Sequence, residues 1–306
     1  MNKIAYYLFV KPISHLPLWI LYLKTDFLFL LLITILPYRK KVITENLTRS
    51  FPNKSEKEIA KLRRKFYRHF TDLLAEGIKN LSISKKMLQK RFVVENPEVM
   101  DDLFFKNKNV LLVSGHFNNW EWLITSQNFL FKHKAIGIGM PMTSKFWDKK
   151  INTLRERFGM KVVHSKNYKE YINSIPDEIK AILVLSDQSP GNSLKSYWTK
   201  FLNQDTAVLF GAEMMAHELN YSVVFFATRK IKRGYYRIEL KLITEEPREN
   251  EWGHITEMHT SLLENEIIKS PHQWLWSHKR WKREIPEELD KLKKTQHEKF
   301  NNRFKY

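Results

Sequence analysis

The chain has 306 residues, 43% of them hydrophobic, and carries 52 Lys and Arg against 33 Asp and Glu, a formal net charge of +19. That length and apolar content suffice for one large α/β domain with a buried core, and the charge favours acidic partners such as nucleic acid, anionic lipid or acidic protein. The lack of cysteine excludes disulfides, a thiolate nucleophile and Cys-ligated metal, so any catalysis uses other groups.

The first element is apolar. Residues Ile13 to Leu36 read ISHLPLWILYLKTDFLFLLLITIL, and Arg39, Lys40 and Lys41 follow. At about 1.5 Å per residue the run is long enough for a helix that crosses a bilayer, and the basic triplet predicts that the remainder lies on the cytoplasmic side. Lys24 and Asp26 oppose a full span, at about 2.5–3.5 kcal/mol each near the centre of a spanning helix, so a shallow or paired insertion competes with it. A cleaved signal peptide fits less well, because the n-region is weak and no small-residue cleavage site follows.

Next, SEKEIAKLRRKFYRHFTDLLAEGIKNL repeats Ile59, Leu62, Phe66, Phe70, Leu73 and Leu74 at helical spacing. Ser55 and Glu58 predict a capping box at its start, and Gly77 a loosened end. Its basic face of Lys61, Arg63, Arg64, Lys65 and Arg68 is either solvated or in contact with anionic lipid. Six apolar runs then read as buried strands separated by helices: 109–115, 134–139, 161–165, 181–187, 222–229 and 235–240. Strands alternating with helices predict an α/β fold with a largely parallel sheet, whose ligands gather where strands end. No internal repeat or low-complexity tract appears, and the charged stretch from Glu284 reads as a surface helix or tail.

One segment carries the chemistry. In VLLVSGHFNNWEWL, His116 falls in a strand-to-helix turn and Glu121 in the first turn of the following helix. Glu121 can complete a capping box with Asn118 as N-cap, and His116 can be a loop histidine satisfied by backbone. Together they can also form a base and the carboxylate that orients it. No Gly-x-Ser-x-Gly elbow is present, so such a base acts on an external hydroxyl. One His and one Glu at this spacing do not match a zinc site, and no metal is expected.

The segment His116-Phe117-Asn118-Asn119-Trp120-Glu121 resembles the His-x4-Asp/Glu motif of glycerolipid acyltransferases, and its surroundings resemble the bacterial lipid A lauroyl and myristoyl transferases. VITENLTRSFPNKSEKE, VLSDQSP, FLNQDTAVLFGAEMMAHELNYSVVF and LLENEIIKSPHQWLWSHKRWKR are similar, in order, to that family's further blocks, over nearly the whole chain. The resemblance implies a glycerolipid-acyltransferase-like, mixed and largely parallel sheet flanked by helices, with an N-terminal anchor over 1–40, a catalytic domain over 41–283 and a tail over 284–306. It implies His116 as general base and Glu121 as the group that orients and charge-balances it. No cofactor is implied: the donor is an acyl carrier protein or CoA thioester, the acceptor a lipid hydroxyl, and no covalent acyl-enzyme forms.

Asn119, Asp187, Gln188 and Arg229 become candidate substrate contacts, although Asp187 can equally cap a turn and Arg229 can equally form a surface ion pair. Many relatives carry Arg-Pro where this chain has Met140-Pro141; if that arginine neutralises the thioester oxyanion or a substrate phosphate, Lys145, Arg155 or Arg157 must substitute, with Lys145 and Arg155 the candidates for substrate contact. The Trp274, Leu275, Trp276 and Trp281 strip, with His278, Lys279, Arg280 and Lys282, reads as core packing or an interfacial surface. The expected protein is an enzyme of the bacterial inner membrane, its catalytic domain on the cytoplasmic face, acting on a lipid A precursor or else a glycerolipid or amino-acid lipid. The rivals are a non-catalytic basic membrane-binding protein on a decayed acyltransferase fold, against which an intact His116 and Glu121 argue, and a basic nucleic-acid-binding protein, which no recognition motif supports and the apolar N-terminus opposes, so no nucleic acid is expected as a partner.

Overall fold

The computed structural model describes residues 3–305, so the outer ends of the first and last expected segments, residues 1–2 and 306, lie outside the described residues. The chain begins with a helical arm of α1 (Lys3–Ala5), a π-helical turn (Tyr6–Val10) and α2 (Lys11–Ser14). Pro17 then breaks the apolar run, and α3 (Leu18–Thr34) follows. Among the described residues no helix is long and apolar enough to cross a membrane. The 17 residues of α3 reach roughly 26 Å, short of a hydrocarbon core of about 30 Å.

The expected span is therefore replaced by a docked helix. Leu18, Leu21, Tyr22, Thr25, Phe29 and Leu32 form the buried face of α3. Asp26, a liability in a spanning helix, pairs with Arg68 at 2.7 Å and with Arg233. The opposite stripe, Trp19, Leu23, Phe27 and Leu30, is also apolar and stays exposed.

After α4 (Lys40–Ser50) comes α5 (Glu56–Asn80), against which α3 packs. The expected capping box starts it: Ser55 Oγ accepts from Glu58 N, and a Glu58 carboxylate oxygen accepts from Ser55 N at 2.8 Å. Gly77 does not end the helix, which runs on to Asn80. Further along are α6 (Lys85–Arg91), β1 (Phe92–Val94), α7 (Glu98–Phe105), β2 (Val110–Ser114), α8 (Trp120–Leu130), β3 (Lys134–Gly139), α9 (Lys145–Glu156), β4 (Lys161–His164), α10 (Tyr168–Asn173) and β5 (Lys180–Leu185). A hairpin of β6 (Tyr197–Phe201) and β7 (Gln204–Val208) precedes α11 (Gly211–Leu219), β8 (Ser222–Lys232), β9 (Tyr235–Thr244), α12 (His254–Lys269) and α13 (Leu289–Phe304).

Seven strands form one sheet in the order β1-β9-β8-β2-β5-β3-β4, parallel at every pairing except β8 with β9. The expected largely parallel α/β sheet is thus present. Every residue of the central strand β2 is buried, as a strand covered on both faces requires. Its side chains alternate: Leu111 and Val113 join a core cluster with Ile43, Phe66, Leu263 and Trp276, while Val110 and Leu112 join another with Leu21, Trp122 and Met100. The tail is a helix, and Phe300 is its buried residue, edge-on to the His217 ring of α11.

Candidate active site

The site follows from strand register. Ser114, the last residue of β2, pairs in parallel with Leu185, the last of β5, so the residues two further along each chain, His116 and Asp187, leave the sheet side by side. Asp187 Oδ1 lies 2.6 Å from His116 Nδ1, and Oδ2 accepts from His116 N and from Trp274 Nε1, each at 2.8 Å. Gly115 permits this approach: a Cβ there would stand 2.8 Å from the Asp187 carboxylate and 2.6 Å from Leu263.

The rest of the turn is fixed by side chains. Asn118 takes a left-handed conformation (φ 53°), which Asn tolerates, and its Nδ2 donates to Thr228 O and to Gln273 Oε1. Its N donates to Gln273 O at 3.0 Å. The helix cap sits one residue later than the sequence suggests. Asn119 is the N-cap of α8, accepting from Trp122 N at 3.0 Å, and no capping box with Glu121 forms.

Asn119 was expected to meet substrate, but it is buried, and its Nδ2 donates at 2.6 Å to Glu76. Glu76 also accepts from Tyr22 and Tyr236 hydroxyls at 2.7 and 2.6 Å, joining α3, α5, α8 and β9 in one knot. Burial raises the Glu76 carboxyl above its ordinary range, partly offset by the hydrogen bonds from Tyr236 and Tyr22. Nothing marks Glu76 in the sequence beyond its place in an amphipathic helix.

The carboxylate on His116 is Asp187 rather than Glu121, a correction to the expected orienter. Glu121 turns to Arg155, receiving Nε at 3.1 Å and Nη2 at 2.5 Å. Its first-turn position on α8 aims it at α9, where Arg155 lies, while the register of β2 and β5 reserves Nδ1 for Asp187. Glu121 still acts on His116 through space. Burial disfavours the imidazolium, but Asp187's charge and hydrogen bond, and then Glu121's charge, outweigh it and raise the His116 pKa, with Arg155 opposing. Asp187 behaves conversely: burial alone would raise it, but His116 and the Trp274 hydrogen bond hold its carboxyl down to about 2.

With an ionised carboxylate at Nδ1, that nitrogen carries the proton, and Nε2 is the acceptor. Gln188 Nε2 stands 3.2 Å from His116 Nε2, and the Trp120 ring lies edge-on to the imidazole at 5.0 Å. His116 and Gln188 are therefore together, with the open nitrogen directed at an exposed amide that a hydroxyl can displace.

Besides Asn119, the expected contacts Arg229 and Lys145 are not brought to the site, nor is Arg157, the remaining possible substitute for the family arginine. Arg229 pairs with Glu239 and, at 3.5 Å, with Glu266, the ion-pair alternative weighed from the sequence. Lys145 is exposed at the start of α9. Arg157 serves the carbonyls of Asn80 and Ile83. Of the three substitutes for the family arginine, only Arg155 approaches, lining a groove of about 210 Å³ with Met140, Met142 and His164. In the closing strip, Trp274 and Trp276 are buried, and Asn46 of α4 ties down the carbonyls of Trp276 and His278 at 2.9 Å, so core packing accounts for those tryptophans.

Fold and site together define the class: an α/β protein with a half-buried histidine against a buried carboxylate at the carboxyl edge of a largely parallel sheet. The family follows from the sequence. The family model for the bacterial lipid A biosynthesis acyltransferases matches residues 3–283, and the chain belongs to that family. It is accordingly an acyltransferase of lipid A biosynthesis, using an acyl donor and a lipid acceptor. No curated protein matches the chain.

Proposed function

We propose that the protein is a membrane-associated O-acyltransferase that moves a fatty acyl chain from an acyl carrier protein or CoA thioester to a hydroxyl of a lipid A precursor, with His116 as general base. The observation that carries this reading is the His116–Asp187 pair, 2.6 Å apart, which engages Nδ1 and leaves Nε2 facing the exposed Gln188 amide.

The acceptor hydroxyl takes the position of the Gln188 amide and donates to His116 Nε2. As its oxygen attacks the thioester carbonyl, the proton passes to Nε2, and the imidazolium that forms is stabilised by Asp187 at one nitrogen and by Glu121 through space. Collapse of the tetrahedral intermediate breaks the C–S bond, and the leaving thiolate takes the proton back from Nε2. Ester and thiol are the products, and His116 is regenerated without an acyl-enzyme. Arg155, balanced by Glu121 and close enough to act on His116, offers a cation for the developing oxyanion or a substrate phosphate.

Membrane association rests on the exposed apolar stripe of α3 and on Ile4, Leu8 and Phe9 of the arm. A helix apolar on its outer stripe and docked by its inner one lies in the interface plane instead of crossing it. Lys24 on the exposed face reaches back to the headgroups. The +19 charge adds attraction to anionic lipid and to an acidic carrier protein. Because thioester carriers are cytoplasmic, the site belongs on the cytoplasmic face of the inner membrane.

Mass spectrometry of lipid A from cells with and without the gene tests the reading. The expected result is a gain of one acyl mass on the lipid A species, reproduced by purified protein with a carrier thioester. Unchanged lipid A together with one acyl mass gained by a glycerolipid or an amino-acid lipid would reject the acceptor.

A further inference from the structure

Behind the Asp187 carboxylate lies a small cavity lined by nine residues, all buried, among them Asp187, His259, Thr260 and Arg280. It offers about 10 Å³ to the centre of a water-sized sphere, close to the minimum of about 10–15 Å³ that one water needs. Three of the lining side chains have a buried polar atom without a partner: His259 Nε2, Thr260 Oγ1 and Arg280 Nε. Unpaired buried donors and acceptors are costly, and three around one water-sized space are the partners such a water requires.

Arg280 is the unusual member. The residue is 2% exposed, and its guanidinium has no carboxylate within ion-pairing distance among the described residues. Nη1 donates to Ala207 O at 2.7 Å, and the Phe201 ring lies 6.0 Å away. A charge this deep needs a counter-charge. Burial lowers its pKa to about 10, and the one charge that opposes this is Asp187. His259 answers to the same carboxylate, burial lowering it to about 4 against the pull of Asp187.

We propose that Arg280 is a positioning residue of the acyltransferase site: one water, held among its Nε, His259 Nε2 and Thr260 Oγ1, couples its guanidinium to Asp187 and keeps that carboxylate the anion that orients His116. The arrangement is a relay of charge from the closing strip, through the cavity, to the base. It deepens the assignment of His116 and rests on it. The other groups that act on the pair are Glu121 of α8, Arg155 of α9 and His278 of the strip, and none of them lines the cavity.

The test follows the His116 ring by NMR titration of the labelled full-length protein, beside the pH dependence of kcat/KM. Arg280→Gln removes a positive charge, so the His116 midpoint and the acid limb should both rise, by about 1 unit. Arg280→Lys keeps the charge and should leave both near the wild-type position. A hairpin clamp without electrostatic influence predicts lower stability in both variants and no movement of the midpoint. An unmoved midpoint in Arg280→Gln, or an equal shift in Arg280→Lys, overturns the proposal. Ring titration does not depend on turnover, so failure of the base assignment appears separately, as normal turnover in His116→Ala. If Arg280→Gln does not fold, a high-resolution crystal structure of the wild-type protein decides: one ordered water within hydrogen-bonding reach of the three atoms is expected, and a dry cavity contradicts the relay.

Discussion

At the scale of single residues the site divides its two carboxylates between two tasks. Asp187 holds the imidazole, whereas Glu121 is balanced against Arg155 and reaches His116 only through its field. Because His116 is raised above its ordinary value of about 6.5, and a base must be neutral to act, kcat/KM should rise along an acid limb with a midpoint above about pH 6.5. Asp187→Asn removes the largest raising influence and leaves burial in control, so the limb should move to lower pH while kcat falls about 10²–10⁴-fold. A limb that stays in place, measured from pH 5 to 9, would show that Asp187 does not set the charge on His116. Glu121→Gln leaves Arg155 partly buried without its partner. Thermal unfolding should register a loss of about 1–3 kcal/mol, and adding Arg155→Met should restore most of that stability but not the activity. Activity returning with stability would make the pair structural only. The histidine, the glutamate and Asp187 were all visible in the sequence as chemically apt residues at element ends. Which carboxylate met the ring was not, because it depends on the pairing of Ser114 with Leu185 across 71 residues of chain.

At the scale of elements, periodicity located what local sequence determines. The six strands read from apolar runs appear within a few residues of their expected bounds, and the Ser55 capping box starts α5. The β6–β7 hairpin was missed because its turn places Leu202 and Asn203 in the left-handed region (φ 50° and 62°), with Leu where Gly or Asn usually signals such a turn. β1 is only three residues long and is defined by its pairing with β9. The full span, though not the competing shallow insertion, is absent from α3 for a physical reason: hydropathy counts apolar residues without knowing that one stripe docks on α5 and that Asp26 finds Arg68 and Arg233. The two stripes make opposite predictions. Trp19, Leu23 and Phe27 are exposed, so replacing them with Gln should change stability by no more than about 0.5 kcal/mol while sharply weakening vesicle binding. Leu21→Ala should cost about 2–5 kcal/mol and leave the outer stripe intact. Vesicle co-sedimentation and thermal melts of both variants check this, and undiminished vesicle binding of the Gln variant would remove α3 from the membrane account.

On the scale of the whole molecule, the docked helix, the open sheet edge and the closing strip meet around one turn. Tyr22 of α3 and Asn119 of the catalytic segment share Glu76, while Arg39, just before α4, donates to Ser277 O at 2.8 Å. The segment expected as a separate anchor is thereby tied to the body that carries the base, which suits an enzyme whose acceptor lies in the lipid surface. The basic balance of the chain serves the same setting, and burial of the α3 stripe, unlike surface charge attraction, is insensitive to salt. In the proposed reaction His116 takes the proton from the acceptor hydroxyl. The most direct test of this step is the turnover of purified, folded His116→Ala with a carrier thioester and a lipid A precursor, read as acyl mass gained by the acceptor. A loss of about 10²–10⁴-fold is expected, with vesicle binding and unfolding temperature near wild type; near-normal acyl transfer by the folded variant would show that His116 is not the base.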